Sequence, residues 1–179
     1  YMGAKDNDVC LLGVIEDSRG NSFCRMIRED ILAKVKHNLV PELEGILEKT
    51  RDTNLLFWVL EKGEKSKTFP YSKKPEEHPV LRDFGDLGKN IFSFYLKTAK
   101  FDRPIKVDFL RGKDENRIAS VLLAISGHHS GYGLPAPLIE ADNVAKLSEN
   151  EINNFYSHIL SFAGNTPSLM RLRREQRPF

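Results

Sequence analysis

The amino-acid sequence predicts an α/β or α+β domain built on a mixed sheet flanked by helices. Three observations carry that prediction. Short β-branched or aromatic runs stand at residues 11–15, 90–99 and 105–110. Between and after them, apolar residues recur at three- and four-residue steps, the period of a helix with one buried face. The 179 residues suit a single domain, 1–179, and 40% of them are hydrophobic against 29% charged, enough apolar side chains for a core.

Leu11-Leu12-Gly13-Val14-Ile15 reads as a buried strand that delivers two carboxylates, Glu16 and Asp17, before a turn at Ser18-Arg19-Gly20. Ser22 is placed to cap the helix that follows, with Phe23, Met26, Ile27, Ile31 and Val35 on its apolar face. Pro41 breaks it, and Leu43, Ile46 and Leu47 predict another short helical piece. Asp52 or Thr53 then caps residues 54–60, a run compatible with strand or helix that the cap and the stop at Gly63 favour as helix. Residues 67–71 are expected to be extended, and the prolines and glycines of 73–88 predict a surface loop.

Residues 90–99 and 105–110 predict an antiparallel hairpin around a turn at 100–104. Ile105, Val107 and Phe109 face inward against Lys106 and Asp108. Asp114 caps a helix whose buried face is Ile118, Val121, Leu122 and Ile125, stopped at Gly127. Pro137 suits the first turn of the next helix, and Leu138, Ala141 and Ala145 continue its face. Ser148-Glu149-Asn150-Glu151 is a capping box that starts a last helix with Ile152, Phe155, Ile159 and Phe162 inward.

Several function classes drop out. No run approaches the roughly 20 apolar residues that cross a bilayer, and the start has neither the basic nor the apolar region of a signal peptide. Cys10 and Cys24 form no metal motif and no disulfide framework, so a reducing, cytoplasmic setting is expected. Walker loops, dinucleotide-binding glycines, CxxC pairs, HExxH and GxSxG are all missing, which removes the common phosphate-loop, zinc and serine-hydrolase chemistries. A net charge of +2 does not by itself mark a nucleic-acid binder. The distribution says more. Lys62, Lys65, Lys67, Lys73 and Lys74 crowd one segment, and Arg171, Arg173, Arg174 and Arg177 crowd the C-terminus, as phosphate contacts or as solvated surface.

Two places are candidates for chemistry. Glu16 and Asp17 offer the hard oxygen ligands that Mg²⁺ or Mn²⁺ require, with a plain polar turn as the alternative. Neighbours in an extended chain point to opposite faces, so at most one of the two joins a site. The second place is the glycine- and proline-rich loop with His128, His129 and Tyr132, which leads to Glu140 and Asp142. The histidines either ligate a metal or phosphate or are merely exposed. Glu140 and Asp142 do not share a helix face, and Asp142, in step with Ala145, is the better placed beside the core. Tyr132 either hydrogen-bonds a phosphate or water, or pins the loop to the core.

These residues resemble the NurA nucleases. Gly131-Tyr132, Pro135-Ala136-Pro137-Leu138 and Ala141-Asp142 look like that family's C-terminal motif, in which a Gly-Tyr-Pro stretch leads through Pro-Leu to Ala-His. Leu12-Gly13-Val14-Ile15 is similar to its Gly-Val-Val strand, and Asp52 through Leu60, then Glu61-Lys62-Gly63-Glu64-Lys65-Ser66, to its Leu-x-x-Gly-Glu-Arg-[Ser/Thr] stretch. Arg103-Pro104-Ile105-Lys106-Val107-Asp108 is similar to its Arg-Pro strand, and Arg177-Pro178-Phe179 to its habitual ending.

The resemblance implies an RNase H-like core and a Mn²⁺- or Mg²⁺-dependent hydrolysis of DNA. It also implies a homodimer and a HerA-type hexameric ATPase as partner in DNA end processing and repair. Tyr132 and Asp142 are then the expected catalytic residues, and Asp142 and Asp17 the expected metal ligands. Lys65, Lys67, Arg173, Arg174 and Arg177 are expected on the DNA backbone. Three departures qualify this. The family's leading catalytic carboxylates lie on strands before its Gly-Val-Val strand, so this chain is expected to be the C-terminal portion of a NurA-type domain, lacking those strands and weakly active or inactive alone. Asp142 stands at the motif histidine, and Glu16 where the family tends to have a lysine. These features feed the alternative of a catalytically inactive nuclease-like module that binds DNA or a partner ATPase. A Piwi-type RNase H-like domain is a further possibility, against which the Arg-Pro-Phe ending and the Gly-Glu-Lys-Ser stretch both argue.

Overall fold

In the computed structural model, which describes residues 3, 7, 9–34 and 40–163, the β-forming runs pair into one four-stranded sheet. Its spatial order is β1 (Leu12–Ile15), β4 (Ile105–Leu110), β3 (Ile91–Leu96), β2 (Phe69–Pro70). Every neighbouring pair is antiparallel. The expectation of a mixed sheet is therefore corrected to an antiparallel one among the described residues. Three helices separate β1 from β2 in the chain, which suggests a parallel crossover. Those two strands lie at opposite edges and never pair.

The helices are α1 (Ser22–Lys34), α2 (Val40–Lys49), α3 (Asp52–Val59), α4 (Glu115–Ala124), α5 (Ala136–Ala145) and α6 (Glu149–Ala163). The segment expected as a loop at 73–88 instead holds 3₁₀ turns, Pro75–Glu77 and Leu81–Asn90, the second kinked at Gly85. Two compact units are present, Tyr1–Ile139 and Glu140–Phe179. Val35, Arg173, Arg174 and Arg177 lie outside the described residues.

Within the first unit, strand alternation divides the core. On one face Phe94, Leu96, Ile105, Val107 and Phe109 pack against Ile118, Ala119 and Leu122 of α4. On the other, Tyr95 and Phe69 pack with Phe23 of α1 and Leu56 of α3. Asp114 caps α4 as expected, accepting from the backbone N–H groups of Asn116 and Arg117. Ala119 rather than Val121 meets the sheet, and Val121 is exposed. The strand β1, expected to be buried, is an edge strand. Its Leu12 and Val14 are half-buried and its Ile15 is exposed.

Asp52 does not cap its own helix. It is fully buried and accepts hydrogen bonds from Phe23 N (2.9 Å) and Cys24 N (2.8 Å), two of the orphan donors at the start of α1. Ser22, expected as that cap, is the first residue of α1 itself. Tyr95 Oη donates to Asp52 Oδ2 at 3.0 Å and also meets Ser18 Oγ at 3.2 Å.

The second unit is helical. Ser148 and Glu151 exchange the reciprocal bonds of the expected capping box, Ser148 N to Glu151 Oε2 at 2.8 Å and Glu151 N to Ser148 Oγ at 3.3 Å. The expected inward faces are corrected. Helix α5 has no buried residue, and Phe155, Ile159 and Phe162 of α6 are exposed. An apolar stripe reports which face wants cover, not that these residues supply it.

Candidate nucleic-acid interface at one end of the sheet

At the end of β1 the backbone leaves the strand at Ile15, and Glu16 and Asp17 form a bend rather than further extended chain. Alternation lapses there. Both carboxylates line one cleft of about 630 Å³, against the expectation that only one could. The remaining lining comes from α3 (Asn54, Phe57, Trp58) and the β3–β4 turn (Phe101, Asp102, Arg103). Arg103 Nη1 bonds Asp17 Oδ1 at 3.1 Å with both side chains about half exposed, which ties the turn to the end of β1.

The same turn holds the glycine-rich loop. Asp102 accepts Arg103 N through Oδ1 and Gly133 N through Oδ2, both at 2.7 Å. Thr98 Oγ1 donates to Gly133 O at 2.6 Å, and Phe101 N donates to Ser130 O at 2.9 Å. The approach is so close that a Cβ on Gly133 would lie 2.3 Å from Thr98 Oγ1. Gly127, at φ +67°, turns the chain from α4 into this loop, and a Cβ there would meet the Thr98 carbonyl at 2.3 Å. Tyr132 sits in the strapped segment with its side chain 37% exposed.

Aromatic side chains flank the cleft. Trp58 is 84% exposed and Phe101 65% exposed. Trp58 packs edge-on against Phe57 at 5.1 Å between ring centres. Buried Lys97 fixes Phe57 in turn, donating to its carbonyl and placing Nζ 4.2 Å from the ring centre.

Three segments of this end, the bend after β1, the Arg-Pro turn and the Gly-Tyr loop, are distant in sequence and meet in space. Compared with models of protein families, residues 6–147 match the NurA domain. The chain belongs to the NurA family. That is a nuclease-type family, and the match spans all three segments. No curated protein and no solved structure matches the chain.

In this NurA-family chain the residues expected at the site lie as follows. Asp17 and Tyr132 belong to segments joined through the β3–β4 turn. Asp142 belongs to the second unit, is exposed, and meets Lys146 Nζ at 2.6 Å, so its expected place beside a core is corrected. Lys65 is half-buried and bonded to Glu115 at 3.0 Å. Thr68 also donates to that carboxyl group, and these bonds hold its pKa below the usual carboxylate value. Lys67 is exposed. His128 and His129 are exposed, and His129 Nδ1 accepts Gly131 N at 3.1 Å within the loop.

A metal centre is a different matter. Among the described residues no group of three or more His, Cys, Asp or Glu side chains is placed to hold an ion. Both Asp102 oxygens and one Asp17 oxygen already accept protein hydrogen bonds. The described residues therefore do not make a metal site by themselves. Among them, too, no helix is long and apolar enough to cross a membrane.

No local signal marks the strap between Thr98 and Gly133, which joins residues 35 apart. The aromatic flank had one legible trace. Leu55, Leu56, Phe57, Trp58 and Val59 are five consecutive apolar residues, more than one face of an eight-residue helix can bury.

Proposed function

We propose that this chain is part of a metal-dependent DNA nuclease with an RNase H-like core. It hydrolyses phosphodiester bonds in DNA end processing and repair, as a homodimer with a HerA-type hexameric ATPase. The observation that supports this best is the meeting of the Asp17 bend, the Arg103 turn and the Tyr132 loop at one sheet end in a NurA-family chain. In this reading Tyr132 donates a hydrogen bond to a phosphate oxygen or an attacking water. Lys67 and the C-terminal arginines hold the DNA backbone by charge. Lys65 joins them only by sharing its charge with Glu115. Manganese or magnesium supplies Lewis-acid stabilisation of the phosphate. Asp17 would be one oxygen ligand of such an ion, Asp142 is a separate candidate ligand in the second unit, and either would need further carboxylates to complete a site.

The second reading is a catalytically inactive nuclease-like module that binds DNA or a partner ATPase. It is favoured by the engaged carboxylates of the cleft and by the lack of a three-ligand group among the described residues.

End-labelled single- and double-stranded DNA, incubated with the protein and Mn²⁺ or EDTA, separates the two. The nuclease reading expects cleavage that EDTA abolishes and that Tyr132→Phe lowers about 100-fold, the usual cost of one donor to a developing charge. Salt-sensitive DNA binding with no cleavage in Mn²⁺, by this chain and by any longer natural form containing it, would establish the inactive module instead.

A further inference from the structure

We propose that the cleft at the sheet end receives an unpaired nucleobase, stacked on Trp58 and Phe101. The inference rests on the nuclease reading and names the form of strand the site takes: one with a base free of its stack, rather than intact duplex.

Charge is the first argument. The lining holds Glu16, Asp17 and Asp102 against the single guanidinium of Arg103, which is already committed to Asp17. Such a floor repels phosphate. Asp102 commits both oxygens to backbone amides, which leaves Glu16 and the second oxygen of Asp17 to accept hydrogen bonds from the amino groups on base edges. The second argument is the aromatic flank. A tryptophan left 84% exposed is usually mobile, but Trp58 is braced by Phe57, which Lys97 holds by its carbonyl and its ring. The backbone of Phe101 is held by its N–H to Ser130 O, and Lys100 Nζ lies 5.3 Å from its ring centre. Rings exposed yet fixed are the platform on which unpaired bases stack, and every base has a face to offer them. The third argument is position. Phe101 and Asp102 belong to the turn that carries the Tyr132 loop, so a base seated here lies on the same rigid piece as the tyrosine.

A duplex cannot present a base this way without unpairing it. The carboxylate floor also sets a preference. Cytosine, adenine and guanine carry an amino group and thymine does not, so a cytosine strand should bind more tightly than a thymine strand.

Trp58 is the only tryptophan in the chain, so its emission reports on this cleft alone. The experiment titrates the protein in EDTA with oligo(dC), oligo(dT) and a blunt hairpin duplex closed by a short linker. Expected is saturable quenching by oligo(dC), weaker quenching by oligo(dT), and none by the duplex. By fluorescence anisotropy, Trp58→Ala and Phe101→Ala should each weaken single-strand binding by roughly 5- to 150-fold, the range of one base–aromatic stack, and leave duplex binding unchanged. Both rings are exposed, and circular dichroism would verify that the variants fold. Single-strand binding with unchanged emission, or alanine variants that bind like the wild type, would overturn the base cleft while leaving the nuclease reading intact. Failure of every DNA to bind would remove both.

Discussion

The two faces of the sheet are made of the same strands and do different work. The core of the face under α4 is apolar: Phe94, Leu96, Ile105, Val107 and Phe109 pack against Ile118, Ala119 and Leu122 of the helix. The face under α1 and α3 is half polar. There Ser93 donates to Asp108 at 2.6 Å and Lys106 pairs with Asp108 at 3.1 Å. Asp52 gathers Phe23 N, Cys24 N and Tyr95 Oη. One face contributes cohesion without direction. The other contributes hydrogen bonds whose geometry decides where α1 and α3 start, and α3 carries Asn54, Phe57 and Trp58 into the candidate interface.

The largest expected effect breaks the apolar face. Phe94→Ala should cost about 3–5 kcal/mol in urea unfolding, because the ring is fully buried and its neighbours come from rigid elements. A loss under 1 kcal/mol would mean that this face is not the main store of stability. On the polar face Asp52→Ala should cost about 2 kcal/mol, the upper range for a lost helix cap. Asp52→Asn should cost less, since it still accepts from one of the two amides. Equal losses for the two variants would point to packing rather than hydrogen bonding.

Alkaline pH sharpens the contrast, since the polar face holds a buried thiol and a buried phenol. Burial, with Asp52 beside it, raises the Cys24 thiol from an ordinary 9.0 to about 12, and burial likewise pushes the Tyr95 hydroxyl up. Above pH 9 the unfolded chain releases protons that the folded chain retains, so folding stability falls as pH rises and is lost progressively through the folded values. The slope is at most about 1.4 kcal/mol per pH unit for each group. Urea midpoints measured from pH 8 to 11 should decline from about pH 9, and the early part of that decline should flatten in Cys24→Ala. A flat wild-type profile would contradict the buried network.

How much of this was legible in the sequence follows the same division. Alternation in Ile105, Val107 and Phe109 announced the apolar face, and the Asp114 and Ser148 caps announced two helix starts, because these signals lie within a few residues of their effects. The same alternation puts Lys106 and Asp108 outward, yet their side chains are only 12% and 16% exposed. Period two separates the faces of a strand without saying which face is wet, and here helices cover both. Asp52 or Thr53 reads as the cap of the helix it opens because local capping is the only kind a sequence displays. The real partners of Asp52 are 28 and 29 residues away. At the candidate site the sequence marked Asp17 and Tyr132. It left out Asp102, whose role depends wholly on a loop 31 residues distant.

The bonds of the β3–β4 turn have a consequence for how this chain can change length over time. Asp102 closes the turn onto Arg103 and receives Gly133, while Arg103 reaches Asp17, so the turn works as a linkage between the loop of Tyr132 and the end of β1. One residue inserted or deleted between positions 97 and 104 would shift one end of that linkage relative to the other. Gains and losses of sequence in related chains should therefore gather in segments such as 73–90, whose turns lie outside it, and leave this short turn constant in length.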